Sequence, residues 1–226
     1  MGNYAGPMSS TEPSVPLLDR PEQVVTVLGL VAASRLTAFD WLAEDAAHAP
    51  RPETREALAL LATRQLGRYP DLVAAAEEHD GVLSRAAEPY LELLDGIGRR
   101  TRSADWWERM VRTVVAGGMV RDLARLVSQQ LAGPAKEVTE AALAGQGLTG
   151  LVAAEVSRAT VDDERLAARL ALWGRRVAGE ALGAVQPVLG VVESAGGADL
   201  TELAAPALGT ISAGHARRME RLGLAA

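Results

Sequence analysis

The chain has no cysteine, one phenylalanine and three histidines in 226 residues, and Lys136 is its only lysine. Each shortage removes a class of chemistry. Without cysteine there is no disulfide, no thiolate nucleophile, no Fe–S cluster and no cysteine-ligated zinc. Aromatic residues make up only 4% of the chain while 48% is hydrophobic, so the core must be built from Ala, Leu and Val. Ala and Leu favour helix. The cations are almost all arginine, a bias that fits a G+C-rich bacterial coding sequence. Lys and Arg number 23 against 29 Asp and Glu, a formal charge of −6, which argues against a general binder of phosphate backbones. The N-terminus lacks a basic region followed by an apolar run, and the apolar stretch 24–33 is too short to span a bilayer. A soluble, cytoplasmic protein is expected.

What is present is helical periodicity. Residues 1–20, with Gly2, Gly6, Pro7, Pro13 and Pro16, read as a flexible leader, and 21–226 as one helical domain. A first helix is expected over 21–48, opened by Pro21 and stopped by Pro50 and Pro52. It carries the stripe Val24, Leu28, Val31, Arg35, Phe39 and Leu42, apolar except for Arg35. A second helix is expected over 53–79, kinked near Leu66–Pro70, and then a short connector over 83–98. The third starts after a Ser103 cap and contains Gly117-Gly118, where close helix approach is the favoured explanation and a local bulge the rival. A fourth over 134–160, a fifth from about 162 to 194 and a sixth over 199–222 complete the chain. No strand alternation and no repeat competes. Long amphipathic helices with short loops predict an all-α antiparallel bundle. Trp41, Trp106, Trp107 and Trp173 are expected to anchor helices to one another.

A helical bundle raises the question of a carboxylate-bridged metal pair, built from Glu on two helices and Glu-x-x-His on two more. Asp45-x-x-His48 is the only acid-x-x-His, and it lies at a helix end. His79 and His215 read as helix-end or structural residues. Gly145-x-Gly147-x-x-Gly150 matches a dinucleotide fingerprint in letters but has no strand before it. No serine has a His/Asp set in local context.

The stretches LTAFDWLAEDAAHAP (36–50), Asp105-Trp106, ARLALWGRRVAGEAL (168–182) and ISAGHARRMERLGLAA (211–226) carry a resemblance. They resemble bacterial ferritin-like fold-containing proteins akin to tRNA methylthio-isopentenyl-adenosine hydroxylase. The resemblance implies a ferritin-like four-helix core with additional C-terminal helices. In better-equipped members it implies a di-iron oxygenase centre. Laid against that pattern, the first-helix carboxylate falls at Arg35 and the second-helix E-x-x-H at Gln65-x-x-Arg68. The third-helix acid falls near Gly117, with Asp122 the nearest acid, and the fourth acid-x-x-His at Gly145-x-x-Leu148.

The expectation is therefore a degenerate ferritin-like protein with no cofactor and no metal ligands. It would act as a non-catalytic structural or interaction module, with Asp40 or Asp122 pairing the arginines. One alternative is a bundle binding a small anion through Arg35 and Arg68, with Arg121 as a further candidate. The other, by family analogy, is a di-iron-type tRNA hydroxylase. Self-association as a homodimer or an unknown protein partner is compatible with the pattern; nucleic acid and membrane are not expected.

Overall fold

A computed structural model describes residues 18–145, 147–197 and 199–226. The expected leader over 1–20 lies outside the described residues up to position 17. Leu18, at its end, is buried, and its N–H donates to the Gln130 carbonyl at 3.2 Å. Among the described residues there are ten helices and no strand. They are α1 (Pro21–Ala47), α2 (Pro52–Gln65), α3 (Tyr69–Glu77), α4 (Leu83–Arg100), α5 (Trp106–Ser128), α6 (Gly133–Ala142), α7 (Leu148–Thr160), α8 (Glu164–Leu182), α9 (Val185–Ser194) and α10 (Thr201–Arg221).

Helices α1 and α5 form the centre and pack against each other. On the α1 side lie α2 and α4; on the α5 side lie α8 and α10. By length and composition α1 could cross a membrane, but most of its apolar stretch is buried between its neighbours. The expected stripe is the reason: Val24, Leu28, Val31, Arg35 and Leu42 are all buried. Pro21 opens α1, and the Gln23 side chain accepts from the Arg20 N–H at 3.2 Å.

Three expected long helices are each two helices. The kink expected near Pro70 is a full break over residues 66–68. Proline cannot donate to the carbonyl four residues back, and Gly67 next to it favours a turn, so Tyr69 N–H closes on Leu66 O at 3.0 Å instead. The expected 134–160 helix is two helices, one ending at Ala142 and the next starting at Leu148, and Gly147 before the second takes a left-handed φ of +80° that only glycine adopts freely. The expected 162–194 helix breaks at Gly183-Ala184, because Pro187 lacks the N–H that would bond Gly183 O.

The largest correction is α4. The expected connector over 83–98, closed by Gly96 and Gly98, is an 18-residue helix with Leu83, Ala87, Tyr90, Leu94 and Ile97 buried at helical spacing and Pro89 inside it. It is held to α1 by close approach at Gly29. A Cβ there would overlap the Ala86 backbone and lie 2.7 Å from Ala86 Cβ.

Helix α5 is capped by Asp105, not Ser103: its carboxylate accepts from Glu108 N–H at 3.0 Å. The same turn receives α8. Arg169 bonds Asp105 at 2.5 Å and Glu108 at 2.7 Å, and Trp173 Nε1 donates to Glu108 O at 2.9 Å. Trp41 and Trp173 are buried and Trp106 and Trp107 half-buried against the core.

The glycine pair in α5 divides its duties, and α5 continues through it as regular α-helix. A Cβ at Gly118 would lie 2.6 Å from Arg218 Nε, so this glycine admits the α10 arginine; Gly117 faces open space. These two environments generate opposite expectations for Gly→Ala. Gly29→Ala should destabilise the protein by about 1–3 kcal/mol through overpacking against backbone. Gly117→Ala should stabilise it by up to about 1 kcal/mol through helix propensity alone. Thermal unfolding of the two variants beside the wild type checks both signs.

Candidate functional site

Between α1 and α5 lies a cavity of about 240 Å³. Ser34, Arg35, Trp41 and Leu42 line it from α1, Gln65 from the end of α2, and Thr113, Val114, Gly117 and Arg121 from α5. The segment Gly145, Gly147–Gly150 closes one side, and Arg221 at the end of α10 reaches in. Three glycines on its lining, Gly117, Gly145 and Gly150, have nothing within 4 Å of a would-be Cβ.

Arg35 is 4% exposed. Its Nη2 donates to the Gln65 side-chain oxygen, and its Nε donates to the Gln65 main-chain oxygen at 3.4 Å. Gln65 in turn donates through Nε2 to Leu61 O at 2.9 Å, which fixes which end of the amide faces the cation. Burial, and then the nearby charge of Arg121, lower the Arg35 pKa to about 10. It remains a cation at neutral pH. Arg121 is half-buried with its pKa also lowered, first by burial. It makes no hydrogen bond or ion pair among the described residues.

Helix α7 begins at the cavity. Its N-cap, Gly147, offers no side-chain acceptor, so the first amides of Leu148, Thr149 and Gly150 lie beside the arginines without a capping group. Such an end attracts negative charge. Among the described residues lining the cavity there are three arginines and no carboxylate or imidazole.

The sequence-derived positions divide into two groups. Arg35, Gln65, Gly117, Gly145 and Leu148 all line this one cavity. Arg68 does not: it lies at the exposed break before α3 and pairs with Asp71 at 3.2 Å. Asp122 turns away from Arg35 and pairs with Arg218 at 2.7 Å. Asp40 is exposed and makes no ion pair with either arginine among the described residues. Asp45 and His48 separate, Asp45 fully buried and His48 exposed with its ring nitrogen 2.8 Å from Glu44 O. Arg221 and the α7 N-terminus were missed. Arg221 is 100 residues distant from Arg121, and the GQG letters signalled a turn only if the fourth helix was read as broken.

Asp45 forms a second polar centre behind Trp41. Thr113 Oγ1 donates to it at 2.6 Å and Arg109 Nε at 3.2 Å. Burial raises its pKa to about 6 against the lowering effects of Thr113, Arg112 and Arg109.

The bundle and its central cavity define a ferritin-like, all-α protein. The sequence model of a ferritin-like domain of actinomycetes matches residues 19–201. The chain belongs to that family. No curated protein matches it.

Two expectations follow from these environments. Gln65→Leu removes the side-chain acceptor of the Arg35 cation, leaves it the main-chain oxygen alone, and should cost about 1–3 kcal/mol of stability. For Asp45, a folded pKa of about 6 exceeds the unfolded value of about 3.9, so the native state binds the proton more tightly. Stability from this group therefore rises as pH falls. Between pH 7.5 and 5 the wild type should gain on the order of 1 kcal/mol relative to Asp45→Asn. Denaturant midpoints at the two pH values measure it.

Proposed function

We propose that this protein is a soluble, cytoplasmic, metal-free ferritin-like bundle that binds a small organic anion in its central cavity and does no redox chemistry there. The observation that carries this reading is the charge of the lining: Arg35, Arg121 and Arg221 converge where a metal pair would need carboxylates. Cations repel iron, and a glutamine amide is a poor substitute for a carboxylate ligand. The described residues do not fit a di-iron centre.

The lining also includes the apolar side chains Trp41, Leu42, Val114 and Leu148 beside the arginines. That combination suits a carboxylate on a short aliphatic body. The ligand is compact, since the cavity is smaller than the roughly 300–1,000 Å³ of pockets for drug-sized ligands. Arg121 supplies the unpaired guanidinium, and the α7 amides supply further donors. Arg35, already held by Gln65, contributes fixed positive potential. The anion set is thus Arg35, Arg121 and Arg221 rather than Arg35 and Arg68.

A pure interaction module has less support. Among the described residues, Leu60, Val82, Val161 and Leu172 are the exposed large apolar side chains, and they come from four separate parts of the chain.

Titration with hexanoate, followed by thermal unfolding, tests the ligand reading. A ligand that binds only the folded state raises the midpoint. The wild type should show that rise, and Gly117→Leu, which fills the cavity, and Arg121→Ala should abolish it. A rise that survives in both variants, or none in the wild type, rejects the cavity as the site. Loading with ferrous iron should leave less than about 0.2 iron per chain, against two for an intact centre; a retained pair would reject the metal-free reading.

A further inference from the structure

A second and larger hollow lies on the other side of Trp41, between the C-terminal halves of α1 and α4 and the first turns of α5. Its volume is about 590 Å³. Arg99 and Arg102 stand on its rim, exposed and with no hydrogen bond or ion pair among the described residues. Arg109 and Arg112 form its inner wall. The acids on the lining are Glu44 and Asp95, so four guanidinium groups face two carboxylates in a chain whose formal charge is −6.

Arg112 is the decisive residue. It is 5% exposed, and its guanidinium stacks 5.1 Å from the Trp41 ring centroid. Its Nε and Nη2 have no hydrogen-bond partner, and the nearest carboxylate oxygens, on Glu44 and Asp45, stand 3.8 and 3.9 Å away. Those two acids already serve Arg109, at 2.7 Å from Glu44 and 3.2 Å from Asp45. The Ser103 hydroxyl, on the same wall, is buried without a partner. A buried cation with unmade hydrogen bonds is costly, and an oxyanion arriving in the groove would relieve that cost.

We propose that this groove is a binding site for the phosphate group of a small phosphorylated metabolite, independent of the central cavity and of any ligand there. The number and spread of donors fit a tetrahedral dianion better than a planar monoanion. Guanidinium groups approach from α4, from the α4–α5 connection and from α5, and even with Asp45 counted beside Glu44 and Asp95 the four cations leave the groove net positive. Arginine is the side chain suited to phosphate. Trp41 contributes no free ring face, since it is 8% exposed and one face carries Arg112. Recognition by base stacking, as in single-strand nucleic-acid binding, therefore has no platform here. Glu44 acts as a placeholder: it is half-exposed, partners Arg109, and yields its place near Arg112 to the incoming anion.

The test is calorimetric titration of the full chain at low ionic strength with inorganic phosphate and with glycerol 3-phosphate. At least one should bind with a stoichiometry near one. The double substitution Arg99→Ala/Arg102→Ala, confined to exposed side chains, should weaken that binding at least tenfold. Asp95→Asn should tighten it severalfold by removing a rim carboxylate. Gly117→Leu should leave it unchanged. Absence of binding for both probes, an unaltered affinity in the double variant, or loss of binding in Gly117→Leu overturns the proposal; the last would assign the anion to the central cavity instead.

Discussion

A guanidinium buried between α1, α2 and α5 sets the terms for the middle of this molecule. Arg35 sits on a helix whose buried residues are mostly apolar, and a cation so placed must find oxygen acceptors. Gln65 supplies them from both its side chain and its main chain. It can do so because α2 ends at that residue, which frees its carbonyl from the helical ladder. The turn that ends α2 is imposed by Gly67 and Pro70. A sequence feature five residues away thus determines whether the cation in the core is satisfied.

The same cation makes the neighbouring space chemically one-sided. Arg121 and Arg221 add charge of the same sign, and the uncapped start of α7 adds its amides. Glycine at 117, 145 and 150 lines the space. Beyond Trp41 the pattern repeats with different residues, where Arg109 and Arg112 share Glu44 and Asp45. One indole therefore separates two cation-rich hollows, and its ring face is taken by Arg112. In an acidic protein such local positive regions are built by arrangement, not by composition.

The stripe along α1 was legible because burial, helix and periodicity all agree there. The breaks after Gln65, Ala142 and Leu182 were less so. Proline and glycine marked each place, but whether a helix bends or parts depends on what its two halves pack against. The segment 83–98 went the opposite way: expected as a connector, it is the continuous helix α4, which absorbs Pro89 because its apolar face is held against α1. Of the positions drawn from the family pattern, Arg35, Gln65, Gly117, Gly145 and Leu148 meet at one cavity. Arg68 and Asp122 fall outside it, since a turn of helix is enough to carry a side chain from the core to the surface.

Residue types and spacing alone determined that this chain is an all-α bundle, that it has no cysteine chemistry and that α1 carries a cation on its buried face. These follow from local rules: helix propensity, a 3.6-residue period and the absence of a side chain. Tertiary structure decided which distant groups stand beside that cation. Gln65, Arg121 and Arg221 are separated from it by 30, 86 and 186 positions. Their meeting depends on where three helices break and how closely α4 approaches Gly29, and no local rule specifies the partners across such gaps.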